Sequence, residues 1–307
     1  MRRAFVFPGQ GSQCVGMGRS CAEEFPVAAE TFAAADDLLG FSLSGLCWQG
    51  PDDDLRLTAN TQPAILTMSV AVYRALEEAG ERPDAVAGHS LGEYSALVAA
   101  GALQFSDAVQ LVRRRGELMQ EAVADGVGAM AAILGLDQET VESVAAAATD
   151  KTGICAGANH NAPGQTVVAG DRSAVESAVV AAKQRGAKRA LVLPVSAPFH
   201  SPLMAPARRG MEPVLADVPI VDSRVPVVSN ADARPLTAAA DIRDALLRQI
   251  DSPVRWVESI ECLVSGGVDS FVEVGPGKVL TGLIKRIARD TSTASVSDPD
   301  GVRAVSA

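Results

Sequence analysis

VAGHSLGEYS, residues 86–95, is the stretch that decides the fold. A short apolar run ends there in Gly-x-Ser-x-Gly and passes directly into a helical pattern, which predicts a strand, a sharp turn and a helix. Glycines at positions 88 and 92 favour this turn because a Cβ at either place would clash with neighbouring backbone. The turn would expose Ser90 as a nucleophile and leave the amide of Leu91 free to stabilise an oxyanion. A serine N-cap between strand and helix is the alternative interpretation.

Apolar strands and helical patterns alternate on both sides of this stretch. Phe5-Val6-Phe7 has the pattern of a buried strand and ends in the glycine-rich turn PGQGSQ, residues 8–13, whose amides could face a ligand. Residues 225–229 and 271–274 have the same strand character. The alternation favours an α/β fold.

The pattern of predicted strands and helices changes at residues 126–196, which indicates a smaller inserted subdomain. Their pattern predicts strands and helices in the order βαββαβ, which suggests a ferredoxin-like unit. The larger pattern resumes after it, so that the catalytic core would comprise residues 1–125 and 197–289. From about Asp290 the sequence is polar, and we expect residues 290–307 to form a loosely ordered C-terminal tail.

The composition excludes several classes of protein. With 48% apolar and 21% charged residues the chain is globular, and its net charge of -10 argues against nucleic acid as a partner. We expect no membrane span, because the sequence has no run of about 18 apolar residues. We expect no signal peptide, because the first residues lead directly into a strand, and therefore a cytoplasmic location. Five cysteines lack any C-x-x-C spacing, which predicts reduced thiols and no metal site.

One arginine falls on an apolar helix face. Arg115 lies four residues after Leu111 and four before Met119, on the face that the helical spacing predicts to be buried. A buried arginine is costly unless an anion pairs with it. The anion could be an internal carboxylate, which the spacing alone favours, or the carboxylate of a substrate.

A serine nucleophile needs a base, and the chain has three histidines. The side chain of His89, next to the nucleophile, should point away from the apex. His160 lies in the predicted insert, whereas His200 lies in a proline-bracketed loop where the core resumes. Elimination therefore favours His200 over His160. No acidic loop precedes His200, but Gln249 at a helix end could orient the imidazole with its main-chain carbonyl.

The chain resembles the malonyl-CoA:acyl carrier protein transacylases of fatty-acid synthesis, which are related to acyltransferase domains of polyketide synthases. The resemblance extends from Phe5 to about Arg286. It rests on the motifs PGQGSQ (8–13), GHSLGEY (88–94), Arg115, PFH (198–200), GVGAM (126–130), NAPGQ (161–165) and EVGPGKVL (273–280).

The resemblance implies a fold and a set of roles. The fold is an α/β-hydrolase-like core with a parallel sheet and a ferredoxin-like insert. Ser90 would be the acylated nucleophile, with His200 as its base. The amides of Gln10 and Leu91 would form the oxyanion hole, Arg115 would bind the malonyl carboxylate, and the carbonyl of Gln249 would orient His200.

The function expected from this resemblance is transfer of malonyl from malonyl-CoA to the phosphopantetheine thiol of acyl carrier protein through a malonyl-serine ester. We expect a monomer that needs no metal or redox cofactor. A stand-alone acyltransferase serving a polyketide synthase would carry out the same chemistry with another carrier. A serine hydrolase or thioesterase shares the elbow but usually has an acid in its triad. A non-catalytic binding module would make Ser90 and His200 coincidental.

Two further expectations concern specificity and docking. Phe199 stands where many stand-alone members carry a small residue, and its bulk should crowd a branched acyl group. Acyl carrier proteins are acidic, so a carrier should dock on a local basic cluster, for which Lys188, Arg189 and Lys285 are candidates. For any one of these three residues taken alone, a solvated surface charge is the favoured interpretation.

Overall fold

The computed structural model describes residues 2–124, 126–195 and 197–306, apart from the side chains of residues 150–152. The predicted boundary residues Asp125 and Ser196, and the terminal residues Met1 and Ala307, lie outside the described residues. Two sheets organise the described chain, one largely parallel and one antiparallel, with helices packed against them. Within these ranges no helix is both long and apolar enough to cross a membrane.

The elements follow one another along the chain with short connections. In chain order they are β1 (Arg3–Phe7), α1 (Arg19–Glu24), α2 (Pro26–Leu39), α3 (Leu43–Gln49), α4 (Asp52–Arg56), α5 (Thr58–Glu78), β2 (Ala85–Gly88), α6 (Gly92–Ala99), α7 (Phe105–Glu121), β3 (Gly128–Leu134), α8 (Gln138–Thr152), β4 (Cys155–Ala162), β5 (Gln165–Asp171), α9 (Arg172–Gln184), β6 (Arg189–Val192), α10 (Ala205–Asp217), β7 (Val227–Val228), β8 (Pro235–Leu236), α11 (Ala239–Gln249), α12 (Trp256–Ser265), β9 (Ser270–Val274), α13 (Val279–Ile287), β10 (Ser292–Val296) and α14 (Pro299–Val305). A short 3-10 helix, Pro202–Met204, precedes α10.

The larger sheet has the strand order β10-β9-β1-β2-β7-β8, and only β8 runs antiparallel to its neighbour. β1 and β2 are buried along both faces, as near-continuous apolar runs in a parallel sheet must be. Phe7 pairs with Gly88, so the two strands end side by side. Because parallel strands end at the same edge, the turn of residues 8–13 and the turn around Ser90 meet there.

The smaller sheet lies within residues 128–192 and is antiparallel, in the order β4-β5-β3-β6. Helices α8 and α9 pack on it and on each other, burying a separate apolar cluster that includes Val141, Val168 and Val175. The outermost strand of the smaller sheet, β4, also contacts the larger unit. The amide of His160 donates to the carbonyl of Val254 at 2.9 Å. The two sheets are therefore joined next to the carboxyl edge of the larger one.

The prediction of a loosely ordered tail from Asp290 is wrong. Residues Ser292–Val296 form β10, which pairs in parallel with β9 over five residues at the edge of the larger sheet. Helix α14 follows, begins at the N-cap Asp298 and buries Val302. This edge strand is only partly covered: Ser292 and Ser295 are exposed, and Val296 is buried. Gly40, with a φ of 72°, ends α2 and separates it from α3.

Candidate active site

A strained turn holds Ser90 between β2 and α6. Its φ is 52°, in the left-handed region that non-glycine residues rarely adopt. The flanking glycines make the turn possible: a Cβ on Gly88 would lie 1.9 Å from backbone of Gly92, and one on Gly92 would lie 2.0 Å from the carbonyl oxygen of Phe7. Close approach of three backbone segments thus forces the serine to the apex.

His200 lies directly against this serine. Its Nε2 is 2.7 Å from Ser90 Oγ, and its Nδ1 is 2.8 Å from the main-chain oxygen of Gln249. A carbonyl oxygen can only accept, so Nδ1 carries the proton and Nε2 is left to accept the serine hydroxyl proton. The geometry is that of a serine–histidine pair oriented by a carbonyl group.

Burial keeps this imidazole neutral. His200 is 3% exposed, and burial, followed by the positive charge of Arg115, lowers the pKa of its side chain to about 3. Loss of hydration disfavours the charged form of a histidine, and a neighbouring cation disfavours it further. The neutral form, which is the one able to take a proton from a hydroxyl group, therefore predominates at neutral pH.

Arg115 lies on α7 and is 1% exposed. Its Nη1 donates to Gln62 Oε1 and its Nη2 to Gln249 Oε1, both at 2.8 Å, and Nη2 also lies 3.2 Å from Ser90 Oγ. Its Nε has no hydrogen-bond partner in the described structure. Among the described residues no carboxylate forms an ion pair with it, so the internal salt bridge favoured by the helical spacing is not found. The guanidinium is a buried cation with neutral partners.

Gln10 and Leu91 face the same space. They line a cavity of about 200 Å³ together with Ser90, Arg115 and His200. No acceptor for the amide of either residue is found within the described part of the chain. Two free amides beside a nucleophile are the donors that an oxyanion requires.

Phe199 lines the same cavity and is 8% exposed. The other apolar side chains that line the cavity are methionine and aliphatic side chains, including Met130 and Val167. The cavity therefore combines an apolar lining with the buried cation of Arg115. Among the described residues no cluster of three or more histidine, cysteine or acidic side chains could hold a metal ion.

The other two histidines lie outside this pair. His89 points away from Ser90: its Nε2 is 2.8 Å from Asn161 Oδ1, and its ring packs against Trp256 with centroids 5.5 Å apart. His160 is buried between two carboxylates, with its ring nitrogens 3.5 Å from Glu142 and 3.9 Å from Glu258. The structure therefore brings only His200 to Ser90.

The candidate docking residues are exposed on both units. The stem of Lys188 lies over Gly135 in the smaller unit, and Gly135 donates its amide to the carbonyl of Gly164. Arg286, next to Lys285 on α13, donates to the carbonyl of Pro163 at 2.7 Å. Basic side chains thus approach the turn between β4 and β5 from both units. Arg189 is exposed at the start of β6.

A second cavity lies beside the first. It has a volume of about 170 Å³ and is lined by Gln165, just after the turn, and by three residues that also line the first cavity: Gln10, His89 and Asn161. The two cavities therefore adjoin each other between this turn and Ser90.

Three residues of the site were missed by sequence reasoning: Gln62, Glu93 and Asn230. Asn230 lies two residues after the end of β7, which pairs with β2 in the sheet, so a polar residue near a strand's carboxyl end was a usable signal. Glu93 belongs to the elbow motif and lies on the buried side of α6. Gln62 lies on the buried helix α5, and nothing in the sequence distinguishes it from a polar residue that is merely packed in the core.

Comparison with known proteins shows similarity over nearly the whole chain. Residues 4–299 match the family model described as acyl transferase domain. The chain is 52% identical over 299 residues to the malonyl CoA-acyl carrier protein transacylase of Bacillus subtilis (strain 168), covering 97% of this chain and 94% of that protein.

Two solved structures have the same fold. One is the acyl-carrier-protein S-malonyltransferase of Burkholderia pseudomallei 1710b, with a TM-score of 0.97 and 51% identity over 100% of this chain and 99% of that one. The other is a malonyl-transacylase in complex with its type II polyketide synthase acyl-carrier protein, with a TM-score of 0.96 and 47% identity over 99% and 98% of the two chains.

Proposed function

The chain belongs to the acyl transferase domain family, among the malonyl CoA-acyl carrier protein transacylases, and we propose that it transfers malonyl from malonyl-CoA to the phosphopantetheine thiol of an acyl carrier protein. One observation carries the proposal. The guanidinium of Arg115, buried without a carboxylate partner, lies 3.2 Å from a serine hydroxyl that is paired with a neutral histidine. A nucleophile beside an unpaired cation suits an acyl group with a carboxylate at its far end.

The first half-reaction acylates the serine. Ser90 Oγ attacks the thioester carbonyl while His200 Nε2 takes the hydroxyl proton, and the amides of Gln10 and Leu91 stabilise the oxyanion. The C–S bond then breaks, and His200 returns the proton to the departing CoA sulfur. The product is a malonyl-serine ester and free CoA.

The second half-reaction reverses these roles. His200 takes the proton of the phosphopantetheine thiol, whose sulfur attacks the ester carbonyl. The C–O bond to Ser90 breaks, and His200 gives the proton to the serine oxygen. All bonds and protons balance without a metal or redox cofactor, and we propose that none is required.

Arg115 would bind the malonyl carboxylate in both steps. Gln62 and Gln249 hold two of its five N–H groups, which fixes the plane of the guanidinium and leaves donors for an anion. A carboxylate pinned there would occupy space next to the ester that a hydrolytic water would need. The arrangement therefore favours transfer over hydrolysis.

The hydrolase alternative has weaker support. His200 faces the carbonyl of Gln249 and not a carboxylate, so the third member of a hydrolase triad is replaced by a neutral group. A polyketide carrier remains the second candidate partner, because one structural relative is bound to the acyl-carrier protein of a type II polyketide synthase. The chemistry at Ser90 is the same for either carrier.

We propose that the carrier docks on the basic surface formed by Lys188, Arg189 and Lys285. Two adjoining cavities support this placement, since one is lined by Gln165 beside the turn and the other by Ser90. We propose that a flexible phosphopantetheine arm reaches the ester from this side while the acidic carrier stays on the surface. We further propose a monomeric, cytoplasmic enzyme.

The finer description of the fold is part of the same proposal. We describe residues 1–125 and 197–289 as an α/β-hydrolase-like core, supported by the parallel order of the larger sheet and the elbow at its carboxyl edge. We describe residues 126–196 as a ferredoxin-like insert. The βαββαβ order and the antiparallel arrangement β4-β5-β3-β6 support it.

Intact-protein mass measurement tests the proposed function. After incubation with malonyl-CoA the protein should gain the mass of one malonyl group, and digestion should place it on the peptide that contains Ser90. Addition of acyl carrier protein bearing phosphopantetheine should remove the group from the enzyme and transfer it to the carrier. A label on a cysteine, or a label that survives in Ser90→Ala, would exclude the mechanism.

A further inference from the structure

A buried carboxylate lies behind the reacting groups. Glu93 is the second residue of α6 and is 3% exposed. One of its oxygens, Oε2, accepts two hydrogen bonds: from the side-chain Nε2 of Gln249 at 2.8 Å and from the main-chain amide of Asn230 at 3.0 Å. Within the described structure no basic side chain forms an ion pair with this carboxylate. A single oxygen atom thus links α6 to two distant parts of the chain.

The first of these parts is the end of α11. Gln249 Nε2 donates to Glu93 and also to the carbonyl of Ser90 at 2.9 Å, while its Oε1 accepts from Arg115. Oε2 of Glu93 and the carbonyl oxygen of Ser90 both accept hydrogen bonds, so the amide turns its NH₂ group toward them. The amide oxygen of Gln249 is then the atom that faces the guanidinium. Without Glu93, only the carbonyl of Ser90 would hold the amide in this orientation.

The second part is the turn after β7. The side chain of Asn230 bridges the elbow: its Oδ1 accepts from the amide of Ser90 and its Nδ2 donates to the carbonyl of Gly88, both at 2.7 Å. These two bonds hold the backbone on either side of His89 in the strained conformation that exposes the serine. The main-chain amide of Asn230 is in turn fixed by Glu93.

We propose that Glu93 is a positioning residue for the transfer reaction: through Gln249 it sets the orientation of Arg115, and through Asn230 it holds the elbow that carries Ser90. This inference rests on the proposed acyl transfer. Glu93 forms no hydrogen bond with Ser90 Oγ or with the guanidinium. Its charge interacts with Arg115 through space, and its hydrogen bonds act through these two neighbours. We assign this role because the hydrogen bonds from Gln249 and Asn230 both end on Glu93.

A purely structural role for Glu93 fits the site less well. A carboxylate buried without a cation costs free energy, because the hydrogen bonds from neutral donors only partly replace water. A fold selected for stability alone would place an uncharged group there. Groups that reduce stability but persist beside a nucleophile are characteristic of functional sites.

The test compares three substitutions at this position by steady-state transfer of malonyl and acetyl groups to carrier protein. Glu93→Ala should lower kcat for malonyl about 100-fold, the effect of a small misplacement of reacting groups. It should also lower the malonyl-to-acetyl ratio of kcat/KM about tenfold, because Gln249 no longer holds Arg115. Glu93→Gln keeps the reach of an acceptor oxygen and should restore most of both quantities. Glu93→Asp keeps the charge but withdraws the oxygen, and should restore less.

Asp36→Ala is the matched control. Asp36 on α2 also accepts a main-chain amide and a side-chain donor, both from Ser44, but it lines no part of the Ser90 cavity. It should change thermal stability without changing kcat or the acyl ratio. If folded Glu93→Ala kept the wild-type kcat and the wild-type malonyl-to-acetyl ratio, the inference about Glu93 would be overturned while the proposed function stood. The same would follow if Glu93→Asp restored more of these two quantities than Glu93→Gln. Absence of malonyl transfer by the wild-type protein would overturn the proposed function as well.

Discussion

Nδ1 of His200 donates a hydrogen bond to the main-chain oxygen of Gln249 at 2.8 Å. This carbonyl fixes the tautomer and the plane of the ring, which are two of the tasks of the acid in a serine triad. It supplies no negative charge, so it does not raise the pKa of the imidazole as a carboxylate would. The pair therefore consists of a neutral base and a serine, with the positive charge of Arg115 nearby.

The base assignment predicts unequal effects for two buried histidines. His200→Ala should reduce malonyl transfer by about two to four orders of magnitude, the range for a lost general base. His160→Ala should reduce it much less, because His160 contacts Glu142 and Glu258 and not Ser90. Steady-state rates and melting temperatures of both variants check this. Equal losses of rate in two folded variants would show that His200 is not the base.

The pH dependence of acylation should lack the usual histidine inflection. A free histidine titrates near pH 6.5, whereas burial lowers the pKa of His200 to about 3. Activity requires the neutral form, which persists as the pH falls until it approaches that lower value. In Glu93→Gln, whose side chain at that position cannot titrate, the rate of malonyl-serine formation in a single turnover should therefore stay nearly constant from pH 8 to about pH 5. A rate that halves near pH 6.5 would contradict the assignment of His200 as a buried neutral base.

The reactive groups were predictable because each leaves a local pattern in the sequence. Ser90 is marked by the elbow glycines, Arg115 by its place on an apolar helix face, and His200 by the few histidines available. The supporting contacts leave no such pattern. Glu93 and Asn230 are 137 residues apart, and their contact depends on the order of strands in the sheet, which no spacing reveals.

The missed strand at the C-terminus has a different cause. Ser292–Val296 forms β10 by main-chain pairing with β9, and its side chains are small, with only Val296 fully buried. Strand propensity depends on the neighbouring strand more than on the residues themselves, so a polar edge strand resembles a loop in sequence.

The buried carboxylate predicts a pH-dependent stability. Burial raises the pKa of Glu93 from 4.5 to about 7. Between these values the folded protein binds more protons than the unfolded chain, so this group lowers the free energy of unfolding as the pH rises from 4.5 to 7. Glu93→Gln cannot ionise. Its stability relative to wild type should therefore increase from pH 5 to pH 8, by on the order of 2–3 kcal/mol. Denaturant unfolding at both pH values measures this, and a pH-independent difference would exclude a raised pKa.

The docking proposal predicts a defect confined to the second half-reaction. Lys188→Glu, Arg189→Glu and Lys285→Glu should each lower kcat/KM for carrier protein about three- to fivefold, since one exposed ion pair contributes up to about 1 kcal/mol. Acylation of Ser90 by malonyl-CoA should be unchanged. Arg209→Glu, an equal change of charge at an exposed position on α10, is the control. Equal losses in both half-reactions would indicate that the basic residues bind CoA or support the fold.

Substrate choice is the prediction that joins Arg115 to Phe199. Malonyl-CoA offers a carboxylate to the unpaired guanidinium, whereas acetyl-CoA leaves this buried cation without an anion and should be a poor substrate. Arg115→Ala should lower malonyl transfer by about two to three orders of magnitude, the loss of a bidentate charge-assisted pair, and should narrow the gap to acetyl. Arg115→Lys should recover little, because an ammonium group cannot form that pair.

Methylmalonyl-CoA separates charge from shape at the same site. It keeps the carboxylate but adds a branch, which Phe199 beside His200 should crowd. One methyl group is worth only about 1–3 kcal/mol, so this discrimination should be weaker than the one against acetyl. Phe199→Ser should therefore raise methylmalonyl transfer relative to malonyl and leave the malonyl-to-acetyl ratio nearly unchanged. Competition between paired acyl-CoA substrates measures both ratios. If Phe199→Ser altered only the acetyl ratio, the apolar wall would not set the tolerance for a branch. If folded Arg115→Ala kept the wild-type malonyl-to-acetyl ratio, the guanidinium would not bind the substrate carboxylate.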